Sequence, residues 1–244
     1  MPCFCVLCLK TFFLQEQNVK TVDAESPQRP MTEEAGVSLN ELAYRRFKQA
    51  LVTLSYKPGE YLNTAQVMND LDMGRTPINQ AIHRLANEGL LQVIPRKGVM
   101  VSPLSMDDAL ELIEVRLANE MLCMQLASQR ITERQIATLT ELNRQIEAAS
   151  QERDRVRMMT LDHEFHQELA QIAGNNMLAD ILSVLHARAQ RFWASTLSRE
   201  GHMREVIDEH RAIIAALAAQ DSAAAAEAAQ AHILSFRSAL LHDG

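Results

Sequence analysis

Four polar side chains in the C-terminal half of the chain could together hold a metal ion. Asp162 and His166 are four residues apart, so both would project from one face of a helix. His210 and His232 fall in two later segments with helical patterning. One carboxylate and three imidazoles from three helices would suit Zn, Ni, Mn or Fe, with a position left open for water or a ligand. A histidine on a helix is more often a surface or hydrogen-bonded core residue, so the four could also be unrelated.

The same ligand set leaves an enzymatic alternative. A metal with an open position can activate water, as in hydrolases. No further acid–base constellation is visible in the sequence, and an enzyme would leave the N-terminal pattern described below unexplained. We therefore predict a non-enzymatic protein. The remaining histidines of this half have no motif partners and receive no role; they are His163, His186, His202 and His242.

The segment that must position these side chains is helical throughout. After Pro103 no strand-like run occurs, and apolar residues recur at helical spacing to the end of the chain. The breaks predict helices over 105–130, 132–150, 153–173, 176–198, 203–219 and 221–241. Short connections between them predict an antiparallel, all-α bundle as a second domain over residues 103–244.

Residues 37–102 have a different organisation. Apolar spacing predicts an amphipathic helix over 39–55, followed by a short helix over 65–71. A third helix should start at Thr76 as N-cap with Pro77 in the first position, and end near Asn87. Two short apolar runs joined by Pro95-Arg96-Lys97-Gly98 then predict a β-hairpin with a basic tip. This order is that of a winged helix-turn-helix, so the predicted fold class is mainly α, with a small β-hairpin wing.

Such a domain would contact double-stranded DNA through the third helix and the hairpin. Arg75 lies before the first turn of that helix, where a guanidinium can bind guanine or a phosphate. Asn79 and Gln80 on the next exposed turn suit adenine. The remaining predicted contacts are Thr76 on the helix, Arg96, Lys97 and Gly98 on the hairpin, and Arg45 and Lys48 on the first helix. The alternative is a small helical domain with an ordinary solvated charged face.

The charge distribution favours the DNA-binding interpretation. The chain of 244 residues has a net charge of −7, but residues 37–102 hold eight Lys/Arg against five Asp/Glu, a net of +3. A basic segment carried on an acidic one suits a protein that contacts nucleic acid at one end only.

The first 36 residues and the cysteines give only general indications of function. Residues 1–36 are predicted to be a disordered leader and linker, and Cys3, Cys5 and Cys8 within them could bind a metal but lack a nearby fourth ligand. Four cysteines without a disulfide framework indicate a reducing cytoplasm. No apolar run is long enough for a membrane helix, so no membrane association is expected.

The N-terminal pattern resembles the DNA-binding domain of the GntR family of bacterial regulators. The family pattern contains P-G-x-x-L, then S-R-T-P-V-R-E-A-L-x-x-L-x-x-E-G-L, then a wing R-x-G-x-x-V. The matching residues are Pro58-Gly59, Leu62, Arg75-Thr76-Pro77, Ala81, Leu85, Glu88-Gly89-Leu90, Lys97-Gly98 and Val101. Asn79-Gln80 stand where the family has Arg-Glu. That arginine commonly contacts the operator in the family, so Arg75 remains the main base-reading residue that the resemblance implies here.

The C-terminal pattern resembles the FCD ligand-binding domain of the FadR-type branch of these regulators. The matching residues are Asp162, Phe165-His166, Ala173-Gly174-Asn175, His210, Ala216-Leu217, Asp221, Ala225 and His232. The resemblance implies that Asp162, His166, His210 and His232 hold a divalent metal, and that the metal helps to bind an acidic effector. Arg116 matches a family arginine that faces the same cavity. Six predicted helices fit the VanR-like subgroup.

Together these resemblances imply a cytoplasmic transcriptional regulator. It would bind a palindromic operator as a homodimer, as a repressor, with its DNA affinity controlled by a small carboxylate at the metal site. The alternative within the same class is a regulator for which the metal ion itself is the signal.

Overall fold

The computed structural model describes residues 36–196 and 202–242. The predicted leader therefore lies outside the described residues, except for Gly36, and so do its three cysteines. Among the described residues, no helix combines the length and the apolar character needed to cross a membrane.

Residues 37–102 form what we call the N-terminal module, which combines three helices with a small sheet. The elements are α1 Leu39–Val52, β1 Tyr61–Leu62, α2 Thr64–Asp70, α3 Arg75–Asn87, β2 Leu91–Ile94 and β3 Gly98–Val101. The sheet has the order β1-β3-β2, and both pairings are antiparallel. The predicted hairpin is confirmed as β2–β3. Strand β1 was not predicted, because two residues are too few to show an alternating pattern.

Helices α1 and α3 pack against each other through apolar side chains at helical spacing. Phe47 and Leu51 on α1 and Ile78 and Leu85 on α3 are fully buried. The predicted start of α3 is wrong by two residues: its N-cap is Gly74, which has no side chain to cap with, and Thr76 and Pro77 occupy the second and third helical positions. Proline is tolerated there because the first backbone N–H groups of a helix have no intrahelical acceptor.

A second group of contacts between α1 and α3 is polar. The Tyr44 hydroxyl donates to Glu88 at 2.7 Å, and Lys48 forms an ion pair with Glu88 at 3.0 Å. The Arg84 guanidinium lies over the Tyr44 ring at 3.4 Å from its centroid and pairs with Glu41 at 2.8 Å. These contacts set the orientation of α3, whose N-terminal residues remain exposed.

The C-terminal part is the predicted all-helical bundle. Its helices are α4 Met106–Arg130, α5 Glu133–Gln151, α6 Arg155–Ile172, α7 Asn176–Thr196, α8 His202–Ala218 and α9 Ser222–His242. Helix α4 packs on α9, α5 on α6, and α8 on both α5 and α9. The six predicted helices are confirmed, with ends that differ by no more than two residues. They were predictable because caps mark them, such as the capping box of Thr132 and Gln135 at the start of α5.

Helix α7 connects the bundle to the N-terminal module. Ala187 is buried in the apolar core that α1 and α3 form. Arg188 donates from Nε to the carbonyl of Glu88 at 2.9 Å, and Arg191 donates to the carbonyl of Ser102. Other side chains of the same helix, including His186 and Gln190, face the polar cavity of the bundle. One helix therefore contacts both the N-terminal module and the interior of the bundle.

Candidate functional site

The structure brings all four predicted metal ligands together in the bundle interior. Asp162 and His166 come from α6, His210 from α8 and His232 from α9, and all are buried. One ring nitrogen from each histidine lies within 4.8 Å of the others. The Asp162 Oδ1 atom is 3.6 Å from His210 Nε2 and 3.9 Å from His166 Nε2. The three histidines thus form one compact group, with the Asp162 carboxylate beside two of them.

The donor atoms suit a divalent metal. Neither ring nitrogen of His210 has a hydrogen-bond partner, and this side chain is fully buried. A buried polar atom without a partner is costly, and a metal bond would satisfy it. Burial lowers the pKa of His166 and of His210 well below the usual value, with further lowering by neighbouring histidines. Both imidazoles are therefore neutral at pH 7, which is the form that binds a metal.

Burial disfavours the ionised form of Asp162. Burial raises its pKa from 3.8 to about 6, and the nearby His232 and Arg116 only partly offset this effect. The ionised carboxylate is consequently destabilised in the metal-free protein at neutral pH. A bound cation would reverse that penalty.

Glu209 orients one of the histidines and was not predicted. Its Oε2 atom lies 2.8 Å from His232 Nδ1. A carboxylate that accepts the Nδ1–H proton leaves the lone pair on Nε2, and such pairing is a common second-layer contact of metal-binding histidines. Glu209 precedes His210 in the chain, and only the packing of α8 on α9 brings it to His232.

A second set of charged residues borders the first. Arg116 donates from Nε and Nη2 to Glu120 Oε1 at 2.9 and 2.7 Å, and His186 Nε2 lies 3.0 Å from the same oxygen. Burial raises the pKa of Glu120, but Arg116 and His186 outweigh that effect and hold it well below the usual value. Sequence patterns gave no role to Glu120 or His186. The four-residue spacing between Arg116 and Glu120 is a sequence signal that could have identified Glu120. No local pattern indicates His186.

Glu120, His166 and His186 also have potential ligand atoms within 4.8 Å of one another. The Arg116 guanidinium already neutralises Glu120, however, so a cation there would face a positive charge at hydrogen-bond distance from its carboxylate. We therefore place the metal among Asp162, His166, His210 and His232 in the proposal below. Glu120 is instead 3.8 Å from His166 Nδ1, on the side of that ring away from Asp162.

The two sets of residues line one cavity. Its open volume is about 40 Å³, and Trp193, Val206 and Phe236 form apolar parts of its wall. That space can hold an ion together with the carboxylate of a small ligand. Of the histidines left without a role, His163 also lines this cavity, whereas the side chains of His202 and His242 lie outside the described residues.

The predicted DNA contacts lie on the exposed side of the N-terminal module. Arg75, Thr76, Asn79 and Gln80 are exposed on the first two turns of α3. The exposed residues of the wing are Arg96, Lys97 and Gly98. The backbone φ angles of Arg96 and Gly98 are 64° and 106°, so the β2–β3 turn needs glycine at position 98.

Two predicted contacts on α1 differ from the others. Arg45 is exposed, but its Nε pairs with Glu41 at 2.8 Å. Lys48 is half-buried and its ammonium pairs with Glu88 inside the module. The prediction that Lys48 contacts the DNA backbone is therefore not supported by its position, because binding a phosphate would require breaking that ion pair.

A winged helix-turn-helix joined to a helical bundle with a polar interior is the architecture of a DNA-binding transcriptional regulator. Residues 39–101 match the sequence model of the bacterial regulatory proteins of the gntR family, and residues 111–235 match that of the FCD domain. The chain belongs to the GntR family of transcriptional regulators and carries an FCD domain. Both matched domains are those of regulators rather than enzymes.

Individual relatives agree with this assignment. The chain is 32% identical to the Nta operon transcriptional regulator of Aminobacter aminovorans over 158 residues, which is 62% of this chain and 74% of the relative. It is 27% identical to the HTH-type transcriptional repressor RspR of Escherichia coli over 80% of this chain and 86% of the relative. The solved structure of E. coli McbR/YncC has the same fold, with a TM-score of 0.78 at 22% identity, covering 85% of this chain and 99% of that one.

Proposed function

We propose that this regulator is a repressor that binds a palindromic operator as a homodimer in the cytoplasm, and that a small carboxylate bound with a divalent metal changes its DNA affinity. The observation that carries the proposal is the buried cluster of His166, His210 and His232, which has Asp162 beside it and two nitrogens of His210 without a hydrogen-bond partner. The repressor assignment is supported by relatives whose names include that role, such as RspR and GlaR of E. coli.

The charges of the cavity explain why a carboxylate would need the metal. Glu120 and Arg116 neutralise each other, His166 and His210 are neutral, and Asp162 is largely ionised at pH 7. The metal-free cavity thus presents the Asp162 carboxylate to an anion, while the charge of Arg116 is already taken by Glu120. A bound divalent ion of Zn, Ni, Mn or Fe would supply a net positive charge and an open coordination position. Arg116 could then add a charge-assisted hydrogen bond to the same carboxylate.

Carboxylate binding should therefore depend on metal. We expect a panel of sugar acids, 2-hydroxy acids and amino acids to contain a compound that raises the melting temperature of metal-loaded protein. At 100 times its dissociation constant, the compound adds about 2.7 kcal/mol of stability. The same compound should give no shift after the metal is removed, and it should change the affinity for operator DNA. A compound that binds equally well without metal would contradict the charge argument.

The dimer is proposed to form through α4 and α7. These two helices pack on each other, and they carry exposed apolar side chains at Val115, Leu122, Met177 and Ile181. Exposed apolar residues on adjacent helices are typical of an interface. We propose that a second copy of this chain covers this surface. Each subunit has one recognition helix, and two such helices about 34 Å apart can read a two-fold symmetric operator.

A charge on this surface should therefore prevent dimerisation. We expect Leu122→Glu to shift the protein from dimer to monomer in light scattering and to weaken operator binding at least tenfold, since each half-site is then bound alone. Val156→Glu is the matched control, because Val156 is also an exposed apolar residue but lies on α6. A Leu122→Glu variant that remains dimeric would exclude this surface.

One observation favours the alternative in which the metal itself is the signal. Two of the donors of Arg116 already bind Glu120, so this arginine is not fully available to an effector. Titrating metal into protein and operator without any organic ligand separates the two alternatives. A metal-dependent change in DNA affinity, with no further effect of carboxylates, would establish the metal-sensing function.

A further inference from the structure

A second cavity lies between the bundle and the N-terminal module. Its volume is about 440 Å³, and it is lined by Gly89 and Gln92 from the module and by Arg188, Arg191 and Leu112 from the bundle. None of the proposed metal ligands lines it. We call it the interdomain cleft.

Arg191 brings a buried positive charge to the cleft. Only 2% of this residue is exposed, and its one described hydrogen bond goes to the neutral carbonyl of Ser102. Its Nε atom is buried without a hydrogen-bond partner. Among the residues that the structure describes, no carboxylate forms an ion pair with it. A buried guanidinium without an anion is strongly destabilising, because its lost hydration is not replaced.

A second guanidinium shares the cleft. Arg188 donates to the carbonyl of Glu88 and lies so close to Gly89 that a Cβ atom on residue 89 would clash with it. Burial lowers the pKa of Arg191 to about 10, and the like charge of Arg188 adds to this effect. The acidic residues of the lining, Asp108 and Glu111, are exposed and pair with neither arginine in the described structure. The cleft therefore has two adjacent cations, and no carboxylate of the described residues pairs with either of them.

We propose that the interdomain cleft binds a small oxyanion, a carboxylate or inorganic phosphate, between Arg188 and Arg191. Guanidinium groups match the planar or tetrahedral oxygens of such ions through paired N–H donors. The ion would contact a helix that also carries His186 and would lie against the end of α3 at Gly89. Because its site includes residues of both parts of the chain, binding favours the present arrangement of the two and changes operator affinity by linkage.

The test is a calorimetric titration of the metal-free, full-length protein with inorganic phosphate and, separately, with malonate, at constant ionic strength. Removing the metal takes away the cation on which carboxylate binding in the bundle cavity is proposed to depend, so that site should not contribute. We expect one saturable binding site per chain. The ion that binds more tightly shows whether the site prefers a phosphate or a carboxylate. Arg188→Gln and Arg191→Gln should each weaken binding at least tenfold.

Arg211→Gln is the matched control, because Arg211 is exposed on α8 and paired with Asp208 and Glu147. It should bind the ion as the unchanged protein does. If the Arg188 and Arg191 variants bind the ion as tightly as the unchanged protein does, the proposal is wrong. A heat of titration that rises without saturation, as expected for a non-specific salt effect, would also overturn it. If Arg191→Gln does not fold, the exposed Arg188 decides the result alone.

Discussion

Asp162→Asn should make the metal-free protein more stable at pH 7.5 while removing its response to metal. The buried carboxylate has its pKa raised from 3.8 to about 6, which corresponds to about 3 kcal/mol of destabilisation of the ionised form. Asparagine has nearly the same shape and no charge. Urea unfolding of the metal-free variant should therefore show a free energy of unfolding up to about 3 kcal/mol higher.

The stability that Asp162→Asn gains over the unchanged protein should increase with pH. Because its folded-state pKa is raised, Asp162 holds a proton more tightly in the folded protein than in the unfolded chain. The free energy of unfolding then falls as the pH rises from about 4 to about 6 and stays low above that. Asparagine does not titrate, so the advantage of the variant should be full above pH 6 and absent near pH 4.

The metal side of the same experiment tests the ligand assignment. Metal should raise the melting temperature of the unchanged protein and have little effect on Asp162→Asn. Glu164→Gln is the control on α6, since Glu164 is exposed two residues away. Undiminished metal binding by the Asp162 variant would remove Asp162 from the site.

Glu120→Gln provides a contrast of opposite sign. It leaves Arg116 buried without its carboxylate and should cost about 3–5 kcal/mol. Stability changes of the same sign in the Glu120 and Asp162 variants would contradict the distinction between a paired and an unpaired buried carboxylate.

Arg75→Ala is expected to weaken binding to a selected operator by about 5- to 150-fold, which is the range of one specific base contact. Arg75 is exposed at the first position of α3 and has no ion pair in the described structure, so its guanidinium is available to DNA. The operator can be obtained by selection from random duplexes and the affinity measured by fluorescence anisotropy. The variant should also lose discrimination at one base pair in each half-site.

Two comparisons separate base reading from charge alone. Lys97→Ala on the wing should weaken binding to all DNA sequences alike. It should also reduce the salt dependence of DNA binding by about one released ion, as expected for a phosphate contact. Arg144→Ala removes the same charge from the exposed surface of α5 and should have no effect. If Arg75→Ala lowers affinity for all sequences equally, Arg75 binds a phosphate, and the adjacent Asn79 and Gln80 must read the bases.

Local sequence signals determined the secondary structure and much of the candidate site. Apolar spacing and caps placed all six bundle helices, and the four-residue spacing of Asp162 and His166 placed both on one face of α6. These are properties of short segments, which the chain expresses without reference to distant residues. The same spacing rule covers Arg116 and Glu120, although only the observed ion pair identifies Glu120 as its partner.

Tertiary packing alone decided the remaining features. His186 reaches Glu120, and Glu209 reaches His232, because α7 and α8 approach α4 and α9 at those points. The exposure of Arg188 and the burial of Arg191, three residues later on the same helix, likewise depend on how the N-terminal module lies against α7. Such contacts join residues that are tens of positions apart, and no local pattern specifies the partner, the distance or the lost hydration that shifts their charges.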